Sequence, residues 1–425
     1  AGILGEKSDI TNAQTTGVIT LSAIKTAGII GNNDSKVSNA GRIETTGITP
    51  ADATEGLVGI SLNASTGNND ASGTITLGTA YSTGMYGENG SLVTNTDTGE
   101  IEITAAGEKG MGIYATGENT TTGKVTEGVN DGTININGKE GTGMLATAKG
   151  KVTNNNKING SNSVEGIIGM YGSDDGTKVE NASAGKIELA GKKSTGMFAK
   201  DDAVAENSGN IKLTSTSKNS VGMLANNSVA NNKNKIKVNN EKAAGMYGED
   251  IATFKNNAGK SIEVKDKESV GMYAKVTGTN TLTAQNDGMI ITNKDKSVGI
   301  YLNNATTPPG GSTNPSAANL TASNKEIEIK GGTESIGIYA PASTVSKVGK
   351  VTMANGVTKS IGVYLSKGAQ ATTAATDEID LEKSAKNIAY YLKNKDTGFG
   401  TSTDIGKVSG YGVGVYLEGT STTDK

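Results

Sequence analysis

Apolar and polar residues recur along this chain in two short, repeating patterns. The first appears four times in close succession, as Ser220-Val-Gly-Met-Leu-Ala225, Ala243-Ala-Gly-Met-Tyr-Gly248, Ser269-Val-Gly-Met-Tyr-Ala274 and Ser297-Val-Gly-Ile-Tyr-Leu302. These copies begin 23, 26 and 28 residues apart. Taking the glycine as a mark, the pattern extends through Gly28, Gly59, Gly84, Gly112, Gly143, Gly169, Gly196, Gly222, Gly245, Gly271, Gly299, Gly337, Gly362 and Gly414, with Ala389 holding one place. A second pattern, Gly-x-Ile-x-Ile or Leu, precedes most marks by about ten residues, as in Gly73-Thr-Ile-Thr-Leu77, Gly99-Glu-Ile-Glu-Ile103 and Gly185-Lys-Ile-Glu-Leu189. A third, apolar-x-Asn, recurs as Val37-Ser-Asn39, Val93-Thr-Asn95, Val179-Glu-Asn181 and Phe254-Lys-Asn256.

Strict alternation of apolar and polar residues is the signature of a half-buried strand. Nothing in the repeat has the 3.6-residue period of a helix. Three short strands joined by Gly, Asn, Asp and Ser turns in about 26 residues predict one turn of a solenoid. The predicted fold is therefore all-β: a right-handed parallel β-helix with three short strands per coil and about 15 coils. Its winding would leave open sheet edges only at the two ends. Residues 1–425 read as a single segment, with a surface loop inserted at about 303–324. That loop carries Pro308-Pro-Gly-Gly311 and Pro315, and proline cannot sit in a central strand.

Alternation around the mark predicts which side chains face inward. The residue before the glycine (Val221, Val270, Ile336), the one after it (Met223, Met272, Ile338) and the one two further on (Ala225, Ala274, Leu302) should share the core face. Nine of the ten methionines are expected to be core filler. The glycine and the residue two after it should then face outward. That second position is tyrosine in ten coils, from Tyr86 to Tyr416. The expectation is an outward tyrosine ladder, each ring lying beside a bare glycine backbone.

Composition sharpens this picture. Glycine is 60 of 425 residues, about twice its usual share of roughly 7%. Only 34% of residues are apolar, as expected of thin coils with one inward row per strand. A net charge of −3 gives no footprint for nucleic acid or an anionic membrane. Arg42 is the sole arginine, so bidentate carboxylate or phosphate clamps are nearly absent. With no Cys and no His, disulfides, zinc sites and the Ser-His-Asp and Cys-His mechanisms are excluded. No run of 18 apolar residues could cross a membrane as a helix. The chain opens and closes in mid-pattern, so a segment of a longer protein is expected.

No metal or cofactor is expected. The acidic clusters Asn32-Asn-Asp34, Asn68-Asn-Asp70, Asp174-Asp175 and Asp201-Asp202 fit turn chemistry and match no calcium-loop spacing. Glu102, Glu188, Glu263 and Glu328 recur in the polar slots of the Ile strands and read as a solvated stripe, not as the carboxylate pair of a glycosidase. The candidate ligand-binding residues are Tyr247, Tyr273, Tyr301, Tyr339 and Tyr364 on the ladder, with Pro308, Pro309 and Asn314 in the inserted loop. The ladder could stack on sugar rings, meet a partner protein, or simply cover the sheet. The loop could recognise a partner or be a tolerated insertion.

The Ser-Val-Gly-Met-Tyr-Ala and Asn-x-Gly-x-Ile-x-Ile repeats resemble the passenger repeats of large type V autotransporter adhesins, particularly those of fusobacteria. The resemblance runs from about Thr16 to Gly419. It implies a right-handed β-helix at the bacterial surface, exported with a signal peptide and anchored by a C-terminal outer-membrane β-barrel through which alone it would touch a membrane. It also implies attachment to host cells or other bacteria through a surface protein or glycan. The expected function is thus a non-catalytic adhesin segment or the rigid stalk that presents a binding tip. A polysaccharide-degrading β-helix enzyme and a purely structural, self-associating rod are the alternatives.

Overall fold

The computed structural model describes residues 2–419, except 15, 53–54, 215, 251, 278–279, 305–319, 383–385, 394–396, 398 and 400–404. The chain divides into two compact units, Ala1–Ser217 and Lys218–Lys425. Each is a right-handed parallel β-solenoid, the hand that nearly all crossovers between parallel strands adopt. No α-helix occurs among the described residues.

In the first unit, eight first strands run from Ile3–Glu6 to Thr195–Lys200, and successive ones are hydrogen-bonded in parallel. Ile3 pairs with Ile29, so Gly2 is a further mark of the repeat that the sequence pattern passed over. Second and third strands form two further rows, as in Leu92–Asn95 and Glu100–Ile103. Between Tyr114 and Gly132 the chain carries an additional Gly/Thr-rich segment, which closes as a small hairpin. Glu118 bridges Val125, and the Asn119 Oδ1 accepts from the amides of Thr121 and Thr122.

The second unit also has eight first strands, from Val221–Asn226 to Gly412–Glu418. Here the second and third strands fuse twice, in Leu282–Thr292 and Leu320–Ile329. Leu282–Thr292 pairs with both Ala252–Asn256 and Ser261–Val264. The loop predicted at about 303–324 is corrected at both ends, since Asn303 and Asn304 close the strand Val298–Asn304 and residues 320–324 open Leu320–Ile329 with Asn324 fully buried; residues 305–319 lie outside those described.

The third-strand isoleucines and the residue after each glycine fill the core in both units. Ile101, Ile134, Ile187, Met85, Met144, Met272 and Ile300 are fully buried. Eight of the ten methionines are buried, one fewer than expected. Met111, which precedes Gly112, and Met289 are half-exposed.

Met289 takes an outward slot of a third strand, paired with Ser261 and Glu326, whereas for Met111 the reason is a register step at the mark. Val270 pairs with Val298 and Met272 with Ile300, while the glycines between them stay outside the ladder. The glycine turns inward and the residue before it turns outward. A Cβ at Gly271 would lie 2.4 Å from the Ile290 Cγ2 and 2.6 Å from the Gly299 carbonyl oxygen. The expectation that the glycine faces out beside the tyrosine, and its predecessor in, is therefore corrected. A third-strand isoleucine occupies the space that any side chain would need.

The corners are polar and buried. Asn39, Asn69, Asn95, Asn130, Asn154, Asn181 and Asn207 are fully buried in the first unit, and each Nδ2 from Asn39 to Asn181 donates to the next Oδ1 at 2.8 Å. Asn232, Asn256, Asn286 and Asn324 continue the device in the second unit. Most of these amides also reach a backbone carbonyl near the start of a third strand, as Asn95 does to Gly99 at 3.1 Å. Asn69, expected in an acidic turn cluster, is one of these rungs instead. The serine of the Ser-Val-Gly motif is a second buried corner: the Ser335 amide donates to the Ser360 Oγ at 3.0 Å. Asn33, Asp34, Asp174, Asp201 and Asp202 hold left-handed turns, with φ between 48° and 80°. Their short polar side chains suit that region.

Candidate functional site

First-strand register in the second unit sets each tyrosine over the next, with Tyr247 opposite Tyr273, Tyr273 opposite Tyr301, Tyr301 opposite Tyr339 and Tyr339 opposite Tyr364. The strands are about 4.8 Å apart, which is also the thickness at which rings stack. Centroid separations along these four steps are 5.1, 5.0, 4.8 and 4.8 Å, with interplanar angles of 8° to 29°. Tyr391 and Tyr416 extend the stack, each step 5.0 Å. All five candidate tyrosines thus lie in one column. The candidates Pro308, Pro309 and Asn314 lie outside the described residues.

Among its described residues the first unit has no equivalent. Tyr86 and Tyr114 meet edge to face at 68°, and Tyr171 pairs with Phe198 at 42°. Leu145 stands between these pairs in register.

Stacking decides what the column offers. Both faces of Tyr273, Tyr301, Tyr339 and Tyr364 are covered by neighbouring rings, so only ring edges and hydroxyls face solvent. A sugar would need an open ring face. The Tyr273 hydroxyl accepts from the Asn303 Nδ2 at 2.7 Å. Burial holds the phenols of Tyr247, Tyr301 and Tyr364 above their ordinary value. At Tyr247 the Glu249 carboxylate adds to the effect, and at Tyr301 the flanking phenols do.

A raised phenol pKa means that the folded state favours the neutral ring. The corresponding stability is complete below about pH 10, the unfolded value, and is lost as pH climbs through the raised values. Tyr247, Tyr301 and Tyr364 are therefore expected to stay neutral at about pH 10 while strand circular dichroism persists. Reversible ionisation of these rings near pH 10 with the strand signal intact would contradict this.

Beside the tyrosines lies a second outward row that the sequence reading assigned to the core. Val221, Val270, Val298, Ile336 and Ile361 precede the inward glycines and are half-exposed. Where Ala244 interrupts this row, the surface dips into a hollow of about 280 Å³. Val221, Ala244, Val270, Tyr247 and Tyr273 line it, with Lys242 and Glu268 at the rim.

One position further out is a row of charges. Lys242, Glu268, Lys296, Glu334 and Lys359 occupy the same left-handed turn slot, with φ between 54° and 57°. All five are exposed, and their signs alternate from coil to coil. Neighbours approach within 3.6 Å (Lys242 and Glu268) and 3.8 Å (Lys296 and Glu334). The signal was present in the sequence as the residue three before each glycine.

The acidic stripe of the third strands is half-buried and paired. Glu188 meets Lys212 at 3.4 Å, Glu263 meets Lys265 at 3.2 Å, and Glu328 meets Lys330 at 3.3 Å. Glu102 accepts from Asn137.

Residues 156–340 match the family model described as the BigA third pectate lyase-like domain. The stretch is less than half of the chain, so the middle of the protein is similar to that domain. No curated protein matches the chain, and no solved structure does.

Proposed function

We propose that this chain is a non-catalytic segment of a bacterial surface adhesin, of the autotransporter passenger type, that meets a protein partner on the tyrosine face of its second unit. The observation that carries the choice of partner is the closed stack from Tyr247 to Tyr364. Covered ring faces disfavour a sugar, whereas a row of phenol edges beside aliphatic side chains suits the contact chemistry of a protein surface. The similarity to a BigA pectate lyase-like domain supports a surface protein of adhesin type, as do the repeats that resemble fusobacterial passengers. The enzymatic alternative has less behind it, because the recurrent glutamates are spread evenly over many coils and ion-paired. Outer-membrane anchoring through a further β-barrel belongs to the same reading.

The test is attachment of the purified chain to epithelial cells, to other bacteria and to a glycan array. It is run beside Tyr301→Ser/Tyr339→Ser and a variant lacking residues 305–318. Attachment to cells that falls at least tenfold in the tyrosine variant, with strand dichroism retained, is the expected result. Glycan binding unaffected by that variant would refute the proposed face, and release of oligosaccharide from a polysaccharide would refute the non-catalytic reading.

A further inference from the structure

We infer that the partner of the tyrosine face is a second copy of this chain, packed antiparallel across a two-fold axis. This rests on the reading above that the face is the binding surface.

Three features of the face point to a copy. The first is its period. Tyrosines, aliphatic residues and charges all repeat once per coil, with ring centroids 4.8 to 5.1 Å apart. Another stack of the same coils presents the same spacing along its whole length, so every rung can meet a rung.

The second is charge. An alternating row is self-complementary in chosen registers only. Consider a two-fold axis in the interface, parallel to the strands and midway between two coils. It sets Lys242 against Glu334 and Glu268 against Lys296 of the other copy. Moved by half a coil onto a strand, the same axis sets like charge against like. The row therefore both favours the antiparallel dimer and fixes its register. This is an isologous contact, which closes at two copies.

The third is size. In that register the four coils from Tyr247 to Tyr339 meet their counterparts, and four coils at about 4.8 Å with a six-residue strand of about 20 Å give roughly 400 Å² from each copy. A stable interface takes about 800 Å² from each partner, so this patch has the scale of a weak dimer that forms with rising concentration.

The test uses sedimentation of the full chain and three charge variants. Glu268→Lys/Glu334→Lys makes the row all positive. Lys242→Glu/Lys296→Glu/Lys359→Glu makes it all negative. Reversing all five signs keeps the alternation. The wild type and the fully reversed variant are expected to form concentration-dependent dimers. Each single-sign variant should be monomeric or dissociate at least tenfold more readily, with strand dichroism retained. Mixing the two single-sign variants should restore dimers.

A monomeric wild type at every concentration would overturn the inference. So would dimers insensitive to both single-sign variants, or a mixture that fails to pair. Loss of cell attachment in Tyr301→Ser/Tyr339→Ser alongside a monomeric wild type would leave the adhesin reading standing and remove only the copy as its partner.

Discussion

Replacing Asn130 by Leu is expected to destabilise the first unit by about 3 kcal/mol, although the two side chains have similar size. Asn130 is fully buried. Its Nδ2 donates to the Asn154 Oδ1 at 2.8 Å and reaches the Lys157 carbonyl at 3.3 Å, while its Oδ1 accepts from Asn95 at 2.8 Å. Leucine leaves the Asn154 Oδ1 and the Lys157 carbonyl without these donors. Stranding a buried polar atom costs about 1–3 kcal/mol, whereas the bond itself contributes only about 1 kcal/mol net. Asn95 is spared the full penalty, because its Nδ2 also contacts Gly99 and Thr133 carbonyls. The loss falls on both interfaces of one coil, and a solenoid is held together by its nearest-neighbour interfaces. The unfolding transition should therefore broaden as well as shift in urea. Thr121→Ala, at an exposed hairpin residue, serves as the control and should stay within about 0.5 kcal/mol. Equal effects from the two substitutions would show that the asparagine column is a consequence of the fold and not a support for it.

The role of that column was only half legible in the sequence. The apolar-x-Asn pattern marked where a second strand ends, since alternation reports burial of apolar residues directly. It said nothing about whether the asparagine faces water or the interior. Polar residues are normally taken as exposed, and a buried one is satisfied only by a neighbour 24 to 38 positions away, as in Asn130 to Asn154 and Asn286 to Asn324. Such a partner is visible only once the coils are stacked. The serine of Ser-Val-Gly was passed over for the same reason.

The strand count per coil and the tyrosine column were legible because both follow from period alone. Any residue at the same place in successive coils must lie over its counterpart, so Tyr247 to Tyr364 could be aligned without coordinates. Closure of the ring faces was not legible, since it depends on ring tilt. Tyr86 and Tyr114 occupy the same slot in adjacent coils, yet meet at 68°. The error about the glycine had a single source. Alternation was carried through it as through any strand residue, but the ladder skips it, and every side chain before it changes sides. Met111 and the row from Val221 to Ile361 were misplaced together by that one step.

The glycine is also where one methyl group should do the most damage. Gly271→Ala is expected to cost at least about 4 kcal/mol, beyond the usual range for overpacking. The new Cβ would sit 2.4 Å from the Ile290 Cγ2 and 2.6 Å from the Gly299 carbonyl oxygen. The isoleucine belongs to a filled core, and the carbonyl belongs to the backbone of the next coil, so relief requires the coils themselves to part. Gly414 occupies the same slot, yet nothing lies within 4 Å of a Cβ placed there. Gly414→Ala should therefore remain within about 0.5 kcal/mol of the parent. The chain already carries an alanine in this slot: Ala389 is fully buried between Ile388 and Tyr390, whose partners Val413 and Val415 flank Gly414. Adding Ile290→Ala to Gly271→Ala separates the two clashes. It removes the methyl contact but not the carbonyl, so it should recover part of the loss despite opening a cavity of its own. Urea unfolding of the four chains measures this. If Gly271→Ala unfolds with Gly414→Ala, the packing of glycine on glycine is not what holds neighbouring coils at their spacing.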